Sequence, residues 1–453
     1  MRTSIYISMG SRITKGLGLA LTVLGTARLA AQTPLRLSLA DAVRRAGSDA
    51  PVVTLAALRS DEADARVRQA RAALLPSLSV GGSWLNRTFN SKSLGIDFPT
   101  IPGQPPFPEL IGPFNYYDAH VSAAQTLFDW SSVARVHAAS AVADGSRADQ
   151  SLTAENSAVT TALAYLRAVR AQAAVSARQA DSSIAAELVT LAQAQKAAGV
   201  SAALDVTRAR TQLVTAEGLL IVGRNQLDRG RIDVTRALGF DPATPIVLTD
   251  TLAGTLGVAA VPFSRDSGVA VALANRPDLR AEVARGAAAR RTRSAIHAER
   301  LPRLELAGDY GSNGRTVPHA IATRDLTLQV SVPILDGFRR EARASEQDAV
   351  VRESQVREAD LRQQIAAEVD AALLDLRTAQ AQELIAAEQL RLAGEELSQS
   401  RERFKAGVAG NIDVINAQSN LIRARDTDID ARYASALAHI TLARALGVAR
   451  NLH

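Results

Sequence analysis

Asp325–Val332 reads DLTLQVSV, and its alternation decides the fold. Leu326, Leu328, Val330 and Val332 share one parity; Thr327, Gln329 and Ser331 share the other. A period of two marks a strand with one apolar and one polar face. Just upstream, Leu304–Ser312 (LELAGDYGS) sets Leu304, Leu306, Gly308 and Tyr310 against Glu305, Ala307 and Asp309. The pair has an earlier counterpart. Ser77–Asn86 (SLSVGGSWLN) sets Leu78, Val80 and Trp84 against serines, and Tyr117–Phe128 (YDAHVSAAQTLF) alternates more weakly. Each run is about 8–12 residues, the length a tilted strand needs to cross a bilayer. The two pairs are expected to form two hairpins. The first is joined by a long Pro- and Gly-rich surface loop over Asn90–Phe114, the second by a shorter loop over Gly311–Thr323.

Helices flank the strands. Leu37–Ala46 is a short amphipathic helix, and Val52–Leu75 is helical up to Pro76, which cannot continue it. Ser131–Ala197 contains no Pro, and at 1.5 Å per residue it spans roughly 100 Å. Leu204–Leu238 follows, with Leu213, Leu220, Leu227 and Val234 at the seven-residue spacing of a coiled coil. Downstream, a helix over Arg276–Arg300 precedes the second hairpin. A long helix over Arg339–Phe404 and a last helix carrying Ile415, Ile422 and Ile429 follow it.

The two halves share one register. An offset of 208 residues separates Gly199 from Gly407, Asp205 from Asp413 and Gly239 from Gly447. Ala-Gly-Val and Arg-Ala-Leu-Gly recur at that offset, and Leu-Pro-x-Leu opens both hairpins. Unrelated coiled coils would not share hinges and caps, so the chain is an internal duplication. Its parts are a leader over residues 1–31, a first repeat over 32–239, an irregular connector over 240–263 and a second repeat over 264–453.

Composition limits the function classes. Among 453 residues there is no Cys, which excludes disulfides, thiolate metal ligands, a thiol nucleophile and a lipid-acceptor cysteine. The net charge of +6 comes from Lys and Arg interspersed with Asp and Glu, the pattern of solvated helix faces and not of a nucleic-acid patch. The six His are scattered and no phosphate-binding Gly-rich loop follows a strand, so no catalytic constellation, cofactor or metal site is expected. Met1–Ala31 has the basic start and short apolar run of a secretory signal, and no later run reaches 18 apolar residues. The exported chain therefore meets a membrane only as strands.

Four strands cannot close a barrel, and an open sheet edge is not tolerated in lipid. Copies must combine. Two would give a barrel filled by its own side chains, and three would leave a lumen, the arrangement favoured here.

With the hairpins, the junctions Leu127-Phe128-Asp129-Trp130 and Ile334-Leu335-Asp336-Gly337, and the hinge runs Lys196–Val206 and Arg403–Ala417, the chain resembles the TolC family of outer-membrane efflux proteins. The resemblance covers essentially all of the exported sequence. It implies a mainly α fold with a transmembrane β-barrel part: a homotrimer with a 12-stranded outer-membrane barrel continued by a periplasmic α-helical tunnel. It implies an exit duct for drug or metal efflux or type I secretion, docked to a periplasmic adaptor and an inner-membrane transporter. Gly199, Val200, Gly407 and Val408 match the helix-turn tips that contact the adaptor. Asp413 matches a carboxylate at the constricted channel entrance, and Asp205 matches part of a closed-state lock. Phe404, Ala409 and Asn416 stand where the family has a Tyr, an Arg and a second carboxylate, so apolar packing is expected to close this entrance. Both Asp residues also sit where a carboxylate caps its own helix. The rival reading is a periplasmic coiled-coil adaptor without a channel, but an end-to-end duplication fits that pattern less well.

Overall fold

The computed structural model describes residues 34–95, 102, 103, 105, 107–252 and 264–452. The expected leader lies outside the described residues. Eight α-helices and six strands are described: β1 (Leu35–Leu37), α1 (Leu39–Ser48), α2 (Pro51–Ala72), β2 (Ser77–Asn90), β3 (Leu110–Asp129), α3 (Trp130–Ala197) and α4 (Ala203–Ala237). Then come β4 (Ile246–Leu248), α5 (Arg265–Asn275), α6 (Pro277–Ala298), β5 (Arg303–Gly314), β6 (Ile321–Ser331), α7 (Arg339–Lys405) and α8 (Asn411–Leu446).

The four long strands form one antiparallel sheet in the order β2-β3-β5-β6, so the expected hairpins lie side by side. Both extend beyond the sequence reading. β3 begins at Leu110, taking in the end of the expected loop, and a 3-10 turn occupies Ser91–Leu94. The register carries the alternation across the sheet. Leu78, Ala123, Gly308 and Leu326 stand in one row, and Ser79, Ser122, Asp309 and Asp325 in the next. The apolar rows are not covered by the described residues: Val80 is 79% exposed and Leu326 is 80% exposed.

Below the sheet the helices run as two antiparallel pairs, α3 with α4 and α7 with α8. Asp129 ends β3 and caps α3, its Oδ1 accepting from the Ser131 amide at 2.9 Å. The start of α7 differs: Gly337 and Phe338 both have positive φ, 70° and 63°, and bend the chain out of β6 into the helix. The apolar core is a string of separate clusters along the pairs. One, around Leu188, Val206, Leu397 and Phe404, lies near the far end of the helices. Another, around Val43, Tyr165, Val234 and Ile440, lies at the middle belt.

That belt includes part of the expected connector over 240–263, which holds a short strand. β4 lies within it and pairs in parallel with β1, Leu35 to Leu37 opposite Ile246 to Leu248. Residues 253–263 lie outside the described residues. Buried Tyr165 fastens the ribbon, its hydroxyl 2.8 Å from the Leu37 carbonyl and 2.9 Å from Asp250 Oδ2. Burial and the Asp250 carboxylate push this phenol above its ordinary pKa, so it stays a donor. Helix α1 starts at Leu39, two residues later than expected. Ser38 accepts from the Asp41 amide, and Leu39, Ala42, Val43 and Ala46 form its buried face. The helix expected over Arg276–Arg300 is α6, and α5 precedes it as an additional helix. Arg276 is extended because Pro277 follows it.

Helix α8 packs on a seam one residue away from its isoleucines. Val414, Leu421, Asp428, Ser435 and Leu442, seven apart, are buried, whereas Ile415, Ile422 and Ile429 are only half-buried.

Candidate functional site

The two helical turns at the far end are built alike. Each long helix ends in an Ala, then a Gly at positive φ: Gly199 at 76° and Gly407 at 73°. The Val200 amide donates to the Gln195 carbonyl at 3.0 Å, and the Val408 amide to the Arg403 carbonyl at 3.1 Å. These are Schellman closures, in which the glycine conformation satisfies otherwise orphaned carbonyls. They leave Val200 and Val408 exposed at the apex. The turns also lie close together: a Cβ on Gly407 would lie 3.9 Å from Val200 Cγ1.

Two polar links that sequence reasoning missed tie the turns together. Gln195 Nε2 donates to the Phe404 carbonyl at 2.8 Å, and Asn411 Nδ2 donates to the Asp205 carbonyl at 3.0 Å. Asn411 is buried, which an amide at a helix start does not announce in sequence. Phe404 is 3% exposed, packed among residues of α3, α4, α7 and α8.

Asp205 and Asp413, equivalent in sequence, behave differently. Asp205 Oδ2 accepts from the Ala202 amide at 3.3 Å and so serves its own helix. Asp413 is exposed, and among the described residues its carboxylate takes no hydrogen bond or ion pair. Asn416, less than a turn further on, is also exposed.

Higher up, the seam between α3 and α8 is ionic. Arg178 Nη2 reaches Asp426, Arg170 reaches Asp430 at 2.6 Å, and buried Asp181 lies between Arg178 and Arg425. Burial disfavours the Arg178 cation, but Asp426 and Asp181 outweigh that and hold it charged. A hollow of about 540 Å³ opens beside this seam, lined by Arg167, Arg170, Arg178 and Arg229 with Asp426 and Asp430. At the opposite end, the polar face of the sheet carries acids and hydroxyls. Ser122 Oγ donates to Asp309 at 2.8 Å, and His120 Nδ1 lies 2.9 Å from Asp118. Among the described residues no cluster of His, Asp and Glu is arranged to hold a metal ion. No described helix is long and apolar enough to cross a membrane.

The arrangement is an amphipathic sheet with two unpaired edges, mounted on long charged helices with an exposed carboxylate near their far end. Comparison with known proteins gives matches along the same elements. The family described as outer membrane efflux protein matches residues 42–240 and 269–448. Protein CyaE of Bordetella pertussis is 28% identical over 274 residues, 59% of this chain and 56% of CyaE, so the match spans little more than half of that relative. The pyoverdine export outer membrane protein OpmQ of Pseudomonas putida is 24% identical over 340 residues, 73% of this chain and 70% of OpmQ. The outer membrane protein VceC of Vibrio cholerae superposes with a TM-score of 0.73 at 18% identity, over 90% of this chain and 96% of VceC.

Proposed function

The chain belongs to the outer membrane efflux protein family, and from that premise we propose that it forms the exit duct of a tripartite efflux pump or type I secretion system. It resides in the outer membrane and moves cargo passively. The observation that carries this reading is the uncovered apolar face of the sheet, with free edges at β2 and β6. An apolar face needs lipid, and a free edge in lipid needs another strand. Three copies, β6 of one against β2 of the next, close a twelve-stranded wall with the polar face inward. Exposed Ile221 on α4 and Leu384 on α7 fit the same assembly, since side-by-side copies cover such residues. The helices then form a periplasmic tunnel roughly 100 Å long.

In this assembly Gly199, Val200, Gly407 and Val408 form the apex offered to a periplasmic adaptor and, through it, an inner-membrane transporter. Asp413, with its carboxylate unspent, supplies one negative charge per copy to the entrance, a ring that favours cations. Asn416 adds a neutral amide there. Phe404 and Asp205 act behind the entrance, the first by packing and the second by holding its helix start.

The test is isolation of the full chain from outer membranes in detergent, mass measurement of the particle, and recording in planar bilayers. A trimer with stepwise conductance supports the duct. A soluble or inner-membrane protein without conductance returns the adaptor reading.

A further inference from the structure

We propose that the rim where the sheet passes into the helices is a collar that binds the anionic headgroups of phospholipids in the periplasmic leaflet. The inference rests on the outer-membrane reading above and adds a specific lipid surface to it. Phe128, Leu304 and Val330 form one cross-strand row, the last of the apolar face at the periplasmic end of the sheet. Beyond this row the chain stays apolar. Trp130, the first residue of α3, is half exposed, Ile334 is 90% exposed and Phe338 is 70% exposed.

Phe338 is the most telling of these. Its φ of 63° lies in the left-handed region, which is strained for an L side chain. Its exposed ring gains little within its own chain to offset that. The Phe338 carbonyl starts α7 by accepting from the Ala342 amide at 3.0 Å, but the ring itself is left uncovered where the lipid-facing rows end.

Charge specifies what covers the rim. Arg135, Arg300, Arg340 and Arg343 each hold a carboxylate, from Asp129, Glu341, Asp336 and Glu299 respectively. Arg71, Arg291 and Arg339 lie near the same rim and are exposed. Among the described residues their guanidinium groups take no ion pair or hydrogen bond. Arg291 also shares a hollow of about 130 Å³ with Trp130, between the start of α3 and the end of α6. An indole beside an unspent guanidinium suits the membrane interface, with the ring at the depth of the ester groups and the cation on phosphate. A second copy fits less well as the occupant. Pairing of β6 with a neighbour's β2 would bring that neighbour's Arg71 toward Arg339, like charge against like.

Single-tryptophan variants test this, because the chain has only Trp84 and Trp130. The full chain is reconstituted in vesicles of phosphatidylethanolamine and phosphatidylglycerol containing phosphatidylcholine brominated near the glycerol end of its acyl chains. Trp84→Phe isolates Trp130, Trp130→Phe isolates Trp84, and Trp84→Phe/Trp130→Phe/Phe338→Trp reports the turn into α7. Brominated lipid should at least halve emission from both rim reporters. Emission quenched only by acrylamide, or by neither agent, overturns the collar. Trp84 separates the two claims: quenched Trp84 with unquenched rim reporters removes the collar alone, and unquenched Trp84 removes the membrane reading as well. Spin-labelled phosphatidylglycerol should associate about twofold or more over spin-labelled phosphatidylcholine, and Arg291→Gln/Arg339→Gln should bring the ratio to parity. No preference in the parent overturns the anionic assignment.

Discussion

Arg178 Nη2 donates to both carboxylate oxygens of Asp426, at 2.7 and 2.8 Å, and so fastens α3 of one helical pair to α8 of the other. Arg178 is largely buried and also reaches Asp181, which is almost wholly buried. Removing the guanidinium leaves Asp181 with Arg425 alone. Arg178→Ala should therefore cost about 1–2 kcal/mol, less than a fully buried pair because Asp426 is partly solvated. The check is thermal unfolding in detergent, with Asp426→Ala and the double variant completing a cycle. Additive effects would show that the two side chains do not act on each other.

The left-handed glycines should not be equivalent. A Cβ on Gly447 would lie 2.8 Å from the Arg276 Cα, and one on Gly239 would lie 2.5 Å from Pro51 Cδ. Gly199 has the same φ as Gly239, but a Cβ there would meet nothing within 4 Å. Gly199→Ala thus bears only the backbone term, about 1 kcal/mol, while Gly447→Ala and Gly239→Ala add a clash with a neighbour that cannot yield. Melting temperatures should rank the Gly199 variant closest to the parent. Equal losses at all three would remove the packing argument.

The strands were legible because lipid-facing alternation survives in a single sequence, and the helices because hinges and caps recur at one offset. β1 and β4 were not legible: three residues are too few to display a period of two. Helix α5 was missed because it is only 11 residues long and ends just before the start that Pro277 marks for the next helix. The ionic seam was hidden for another reason. Charges such as Arg178 and Asp426 read as solvated faces, and only packing places them opposite each other. At the far end, sequence made Asp205 and Asp413 equivalent. The backbones before both helices agree closely, at φ −80° with ψ 156° and 160°, so the difference lies in where each carboxylate turns.

Glu155 gives a pH dependence with a definite sign. Burial raises its carboxyl above the ordinary value, against the Ala449 amide and Arg450, which favour the charged form. A raised acid binds more protons in the folded state than in the unfolded state, so stability falls as pH rises. The loss should begin around 4.5, the ordinary value, and end once the raised value is passed. Glu155→Gln keeps an acceptor for Ala449 and removes the titration, so its stability should be flatter across that window. Melting temperatures at closely spaced pH values decide the matter, and parallel curves for parent and variant would exclude Glu155 as the source.

Asp413 and Asp205 should separate by readout. In the proposed trimer the free Asp413 carboxylates act on permeating ions, whereas Asp205 is occupied at its own helix start. Asp413→Ala should move the reversal potential under a salt gradient toward zero, since one negative charge per copy leaves the entrance. It should leave the melting temperature nearly unchanged, because no side-chain contact is lost. Asp205→Ala should do the opposite, costing about 0.5–1 kcal/mol as a lost helix-start hydrogen bond, with selectivity kept. Unchanged selectivity in the Asp413 variant would place the charge filter elsewhere. The strongest alternative would then be the acidic polar face of the sheet, where Asp309 and Asp325 stand in one row.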